Sequence, residues 1–102
     1  MTRLLVIYNR PADPAAFNRY YAETHIPIAQ RIPGLRSYTI SAGSPAVLAG
    51  DAAPHLIAEL DFGSQADLQA ALASEEGKAA AADLANFAQA GVSLLAFEVK
   101  SH

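Results

Sequence analysis

Leu4-Leu5-Val6-Ile7-Tyr8, followed by Asn9-Arg10-Pro11-Ala12 and then Asp13-Pro14, holds a strand, a turn and the start of a helix. An unbroken apolar run bounded by a turn reads as a strand buried on both faces. Asp13 fits a helix N-cap, with Pro14 at the first helical position, where its missing N–H removes no bond. Phe17, Tyr20, Tyr21 and Thr24 then recur at helical spacing and mark a buried stripe. Pro27 biases Ile26 away from helical geometry, which predicts that this helix ends near His25. A short helical piece restarting at Pro27 would carry Ile28 and Ile32.

The rest of the chain extends this beginning. Pro33-Gly34 is a turn, and Leu35 to Ser41 alternates as a second strand with Arg36, Tyr38 and Ile40 on one face. Ala42 to Pro54 holds two glycines, two prolines and an aspartate, and reads as a loop long enough to serve as a lid. Leu56 to Phe62 is a third strand. It places Leu56, Ala58, Leu60 and Phe62 on one face and His55, Ile57, Glu59 and Asp61 on the other. Ser64-Gln65-Ala66-Asp67 resembles a capping box, and Leu68, Ala71 and Leu72 form the stripe of the helix it opens. Ser74 can cap a second helical segment that includes Leu84 and Phe87, with Gly77 marking the bend. Gly91 releases the chain into a last strand, Val92 to Val99.

The order is strand, helix, strand, strand, helix, strand, which is the split βαβ, ferredoxin-like α+β pattern. At 102 residues one domain, 1–102, is expected, with both helices on one face of an antiparallel sheet. The first and last strands are nevertheless apolar on both faces. The uncovered face needs a partner, and a second copy of the same sheet would supply it. Charged residues are only 17% of the chain, below the roughly 25% usual in soluble domains, and this favours the same conclusion.

Composition excludes several function classes. The net charge is -3 and the arginines are scattered, so there is no electrostatic footprint for nucleic acid. Without cysteine there is no disulfide frame, thiolate nucleophile or cysteine metal site. The apolar run Leu4–Tyr8 is too short for a signal core or a membrane span, and a cytoplasmic location is expected. The three histidines are far apart, no glycine fingerprint cradles a phosphate, and no serine lies in a nucleophile elbow, so neither a metal nor an organic cofactor is expected.

The candidate chemistry centres on His25. Histidine alone has an unperturbed side-chain pKa near neutrality, and Tyr21 lies one helical turn before it. It reads either as a general acid/base facing an apolar interior or as a helix-terminal histidine bonding a loose carbonyl. Tyr8, Tyr21 and Tyr38 carry phenols that can orient a carbonyl or hydroxyl substrate, or else fill the core with a polar tip. Glu59 is a second candidate proton carrier if its strand face is the inner one. Asp61 on the same face reads as a solvated edge residue, His55 as exposed, and His102, the last residue, as needing no function.

Phe17…Tyr20-Tyr21…His25-Ile26-Pro27…Pro33-Gly34-Leu35, with His55-Leu56-Ile57-Ala58-Glu59-Leu60-Asp61-Phe62 and Ser74-Glu75-Glu76-Gly77, resembles the EthD family, named for a role in ethyl tert-butyl ether degradation. The resemblance spans nearly the whole chain. It implies a dimeric α+β barrel, a ferredoxin-like fold that dimerises through its sheet, and it places His25 at a family position. It implies an apolar pocket for a small hydrophobic molecule. There the chemistry is either cofactor-independent acid/base catalysis of the isomerase, decarboxylase, dehydratase or monooxygenase kind, or binding alone, as an accessory to an oxygenase system. A purely structural dimer with a filled interior is the third reading.

Overall fold

The computed structural model describes residues 1–102. Four strands, β1 (Thr2–Asn9), β2 (Ser37–Ile40), β3 (Pro54–Phe62) and β4 (Val92–Glu98), form one antiparallel sheet in the order β2-β3-β1-β4. The helical segments are α1 (Pro14–Tyr20), a π-helical turn (Tyr21–His25), α2 (Ile26–Ala29), α3 (Gln65–Ala73) and α4 (Glu75–Phe87). This is the expected ferredoxin-like arrangement, and the strands form where alternation placed them.

Register explains the core. Leu4 pairs with Leu60, Val6 with Ala58 and Tyr8 with Leu56, while Val6 also faces Leu94 across β4. Paired residues point to the same side of a sheet. These side chains therefore project together toward the helices, where Phe17, Tyr21, Ala29, Leu68, Ala71 and Phe87 meet them. Phe87 stands at the centre of the aromatic cluster, with its ring centroid 4.7 Å from His25 and 5.3 Å from Phe17 and Tyr20. Burying such rings contributes roughly 1.5–3 kcal/mol each.

The opposite face carries Arg3, Leu5 and Ile7 of β1, Ile57, Glu59 and Asp61 of β3, and Leu95 and Phe97 of β4. No helix covers it, and Leu95 and Phe97 are exposed. Asp61 is not a free edge charge. It forms a bidentate pair with Arg3, Nε to Oδ1 at 2.8 Å and Nη2 to Oδ2 at 3.3 Å.

The caps form as read. The Asp13 carboxylate accepts from the Ala16 N–H at 3.1 Å, and Ser64 Oγ from the Asp67 N–H at 3.1 Å. Ser74 is extended, ends α3 and caps α4 by accepting from the Gly77 N–H at 3.0 Å.

Three expectations are corrected. The chain does not leave helical geometry at His25: His25 and Ile26 are both helical, with φ/ψ of -70/-46 and -56/-48. Pro27 lacks an N–H and its ring would strike the Glu23 carbonyl in a regular α-helix. The backbone instead widens by one residue, so that the Ile26 N–H bonds the Tyr21 carbonyl. Such a π-turn lets the chain pass a proline without stopping.

Gly77 does not mark the bend, which lies at Ser74. It sits inside α4 against the end of α3, where a Cβ would overlap the Ala71 carbonyl. Gly77→Ala must push α3 and α4 apart, and we expect a loss of about 2 kcal/mol in urea unfolding. An unchanged midpoint would show that the two helices yield freely.

His55 is buried rather than exposed. The register shifts between Tyr8 and Asn9, leaving His55 without a partner on β1. This bulge turns its ring to the helix side, where Nε2 lies 2.7 Å from Asn18 Oδ1 and the Phe17 ring packs against it.

Candidate functional site

The π-turn holds Tyr21 and His25 on the sheet side of the helical layer, both almost fully buried. Their rings lie 5.3 Å apart. The facing side chains come from β1 (Tyr8), β2 (Tyr38) and α4 (Asp83, Phe87). His25 Nδ1 lies 2.8 Å from Asp83 Oδ2, with both side chains 6% exposed. An ionised carboxylate can only accept, so Nδ1 carries the proton and donates. The remaining nitrogen, Nε2, faces the Tyr8 hydroxyl at 3.5 Å. The Tyr21 and Tyr38 hydroxyls bond each other at 2.7 Å.

Asp83 accepts three bonds in all. The Tyr20 hydroxyl donates to Oδ1 at 2.6 Å and Asn86 Nδ2 to the same oxygen at 3.0 Å. Burial alone would push the Asp83 carboxyl up. The bonds from Tyr20, Asn86 and His25, with the charge of His25, outweigh burial and hold it below its ordinary value. Burial pushes the Tyr21, Tyr8 and Tyr38 phenols up, so they remain neutral donors at physiological pH.

These groups border a narrow cavity of about 60 Å³ between sheet and helices. Tyr8, Tyr21, His25 and Tyr38 lie along its depth with Leu4, Val6 and other apolar side chains. Leu72 and Leu94, both exposed, also border it and mark its opening between α3 and β4. An apolar cavity of about 150 Å³ takes a benzene ring. This space is smaller than that, and enlarging it would spread Leu72 and Leu94.

Of the residues singled out in the sequence, the structure brings together His25, Tyr8, Tyr21 and Tyr38. It does not bring Glu59, which lies on the opposite, helix-free face, 4.0 Å from Arg3. The alternation that put Leu56 to Phe62 toward the helices necessarily turned Glu59 away. The Ala42–Pro54 loop does not border the cavity either. Asp83 and Asn86 were missed. One signal was present: Ala80, Asp83, Leu84 and Phe87 fall at helical spacing, so a lone aspartate occupies an inward position of an alanine-rich helix. No group of three histidine, cysteine, aspartate or glutamate side chains could hold a metal ion. No helix is long and apolar enough to cross a membrane.

The model of the EthD domain matches residues 9–91. An uncharacterized 11.0 kDa protein in the thcB-thcC intergenic region of Rhodococcus erythropolis is 44% identical over 96 residues, covering 93% of this chain and 91% of that protein. The solved structure of an EthD family protein from Bacillus halodurans is 31% identical, with a TM-score of 0.88, covering 98% of this chain and 99% of that one. A protein from Thermobifida fusca, described as a dimeric ferredoxin-like protein of unknown function, shares the fold. Its TM-score is 0.69 at 15% identity, covering 96% of this chain and 90% of that one.

Proposed function

Because this chain belongs to the EthD family, we propose that it is a homodimer that admits a small, apolar, oxygen-bearing molecule and moves a proton on it with His25. The observation that carries this reading is the buried pair His25–Asp83, whose other ring nitrogen, Nε2, meets the Tyr8 hydroxyl beside the cavity that His25 and Tyr8 both border. Dimerisation is supported by the uncovered apolar sheet face and by the dimeric description of the Thermobifida fusca protein.

The geometry supports the following chemistry. Nε2 takes a proton from a carbon beside a substrate carbonyl, breaking the C–H bond and leaving an enolate. Asp83 holds Nδ1–H and stabilises the imidazolium that forms, so the charge never stands alone in an apolar interior. A neutral phenol, Tyr8 or Tyr38, donates toward the enolate oxygen. Returning the proton to a different atom completes an isomerisation, with nothing else consumed. The Glu59 carboxylate, on the far face, takes no part in this proton transfer.

A second reading keeps the cavity and drops the chemistry: the protein holds such a molecule as an accessory to an oxygenase system. The small cavity favours it, because only a head group is enclosed and the reacting part of a larger molecule could lie outside.

Deuterium uptake separates the two. Acetone in heavy water is followed by proton NMR with wild-type protein and with His25→Ala. The wild type is expected to speed exchange beside the carbonyl, and His25→Ala to return it to the buffer rate, a loss of about 10²–10⁴-fold. Equal rates for the two proteins sink the proton-transfer reading. Binding seen by chemical-shift changes at Tyr8 and Tyr38, without exchange, moves the assignment to the accessory role.

A further inference from the structure

Asp83 bridges two spaces. On one side its Oδ2 meets His25, which borders the inner cavity. On the other, its Oδ1 meets Tyr20 and Asn86, and both of these border an outer groove of about 530 Å³. That groove runs between the start of α1 and the end of α4, with Phe17 and Phe87 on its floor. A single carboxylate therefore joins the groove to the cavity.

The geometry points to Tyr20 as a positioning residue of the His25–Asp83 pair: its hydroxyl, donated from the groove side, locks the carboxylate with Oδ2 toward Nδ1 and tempers its hold on that proton. A carboxylate on a helix can swing about its last torsion, and its charge is shared between two oxygens. At 2.6 Å the Tyr20 bond is short and charge-assisted, so it fixes that torsion and draws charge to Oδ1. Asn86 adds a second, longer bond to the same oxygen. The same bond pushes the Tyr20 phenol up, which keeps it a donor.

Around His25 the other facing groups are Tyr8 from β1, Tyr21 from its own segment and Phe87 from α4. Tyr38 reaches it only through Tyr21. Asp83 is the one charged side chain in direct contact, so whatever adjusts Asp83 adjusts His25. The catalytic meaning of this arrangement rests on the proton-transfer reading above, but the arrangement itself can be measured without any ligand.

The test is NMR on three proteins: wild type, Tyr20→Phe and Asn86→Ala. Asn86 is exposed, so its variant keeps the experiment informative should Tyr20→Phe fold poorly. Two signals are read: the His25 Nδ1 proton and the Asp83 carboxyl carbon through an acid titration. Loss of a donor on Oδ1 leaves more charge for Oδ2. The Nδ1 proton should move downfield, and the Asp83 titration should shift upward, more in Tyr20→Phe than in Asn86→Ala. If neither signal moves in either variant, Tyr20 only fills space and the inference falls. Shifts of the expected sense beside a failed deuterium assay would remove the proton transfer and leave the positioning intact.

Discussion

Asp83→Ala is expected to lower the unfolding free energy by about 3 kcal/mol, read as a lower urea midpoint at neutral pH. The variant strips an acceptor from three donors, and they do not suffer equally. Asn86 is exposed and Tyr20 borders an open groove, so both can turn to water. The His25 ring is enclosed between Tyr21, Tyr8 and Phe87, and its Nδ1–H has no other acceptor. The cost therefore concentrates on an unpaired polar group in an apolar interior. Asp83→Asn, which can keep a carbonyl oxygen toward Nδ1, should lose less. In a double-mutant cycle with His25→Ala, the double variant should lose less than the sum of the single losses, because removing the ring removes the orphan.

The same carboxylate gives an acid limb whose sign can be stated. Its folded pKa lies below the ordinary value of 3.8, so the unfolded chain binds the proton more readily. Asp83 therefore contributes stability that is fully present above that pH and is lost as pH falls through the lower folded value. Urea midpoints measured from neutrality down to acid should fall less steeply over that last stretch for Asp83→Asn than for wild type. Parallel curves would mean that Asp83 titrates alike in both states.

Phe97→Asp, alone or with Leu95→Asp, should convert the proposed dimer to monomers in analytical ultracentrifugation. Leu95 and Phe97 lie on the helix-free face of β4, beside Leu5 and Arg3 across the register. Closing two such faces on each other would bury a carboxylate whose one basic neighbour, Arg3, is already committed to Asp61, which costs several kcal/mol. A two-fold interface contains each residue twice, so one substitution is felt twice. Together these raise the dissociation constant by well over a hundredfold. Leu72→Asp provides the contrast: Leu72 is as exposed as Phe97 but lies on the helical side, at the cavity mouth. It should leave the dimer intact. A dimer that survives Phe97→Asp is not built on this face.

What could be read in advance was local. Leu4–Tyr8 and Leu56–Phe62 became strands because alternation and apolar runs are properties of a few neighbouring residues. Asp13, Ser64 and Ser74 capped helices because a cap bonds a backbone N–H only three positions away. Where the reading went astray, a longer-range demand intervened. Pro27 did not stop the helix, because burial of Tyr21, His25 and Ala29 outweighs one lost bond and a wider turn accommodates the ring. His55 turned inward because β3 slips register against β1.

The split βαβ order and the presence of a histidine among tyrosines were thus determined by the sequence itself, through periods of two and 3.6 residues. Tertiary structure alone decided which groups serve that histidine. Asp83 lies 58 positions from His25 and Tyr8 lies 17, and Glu59, an equally plausible carboxylate by sequence, went to the other face. Periodicity states which side of an element a residue occupies. Which residue of another element it meets is set by how the layers pack, and here the packing of α4 on the π-turn gave His25 its carboxylate.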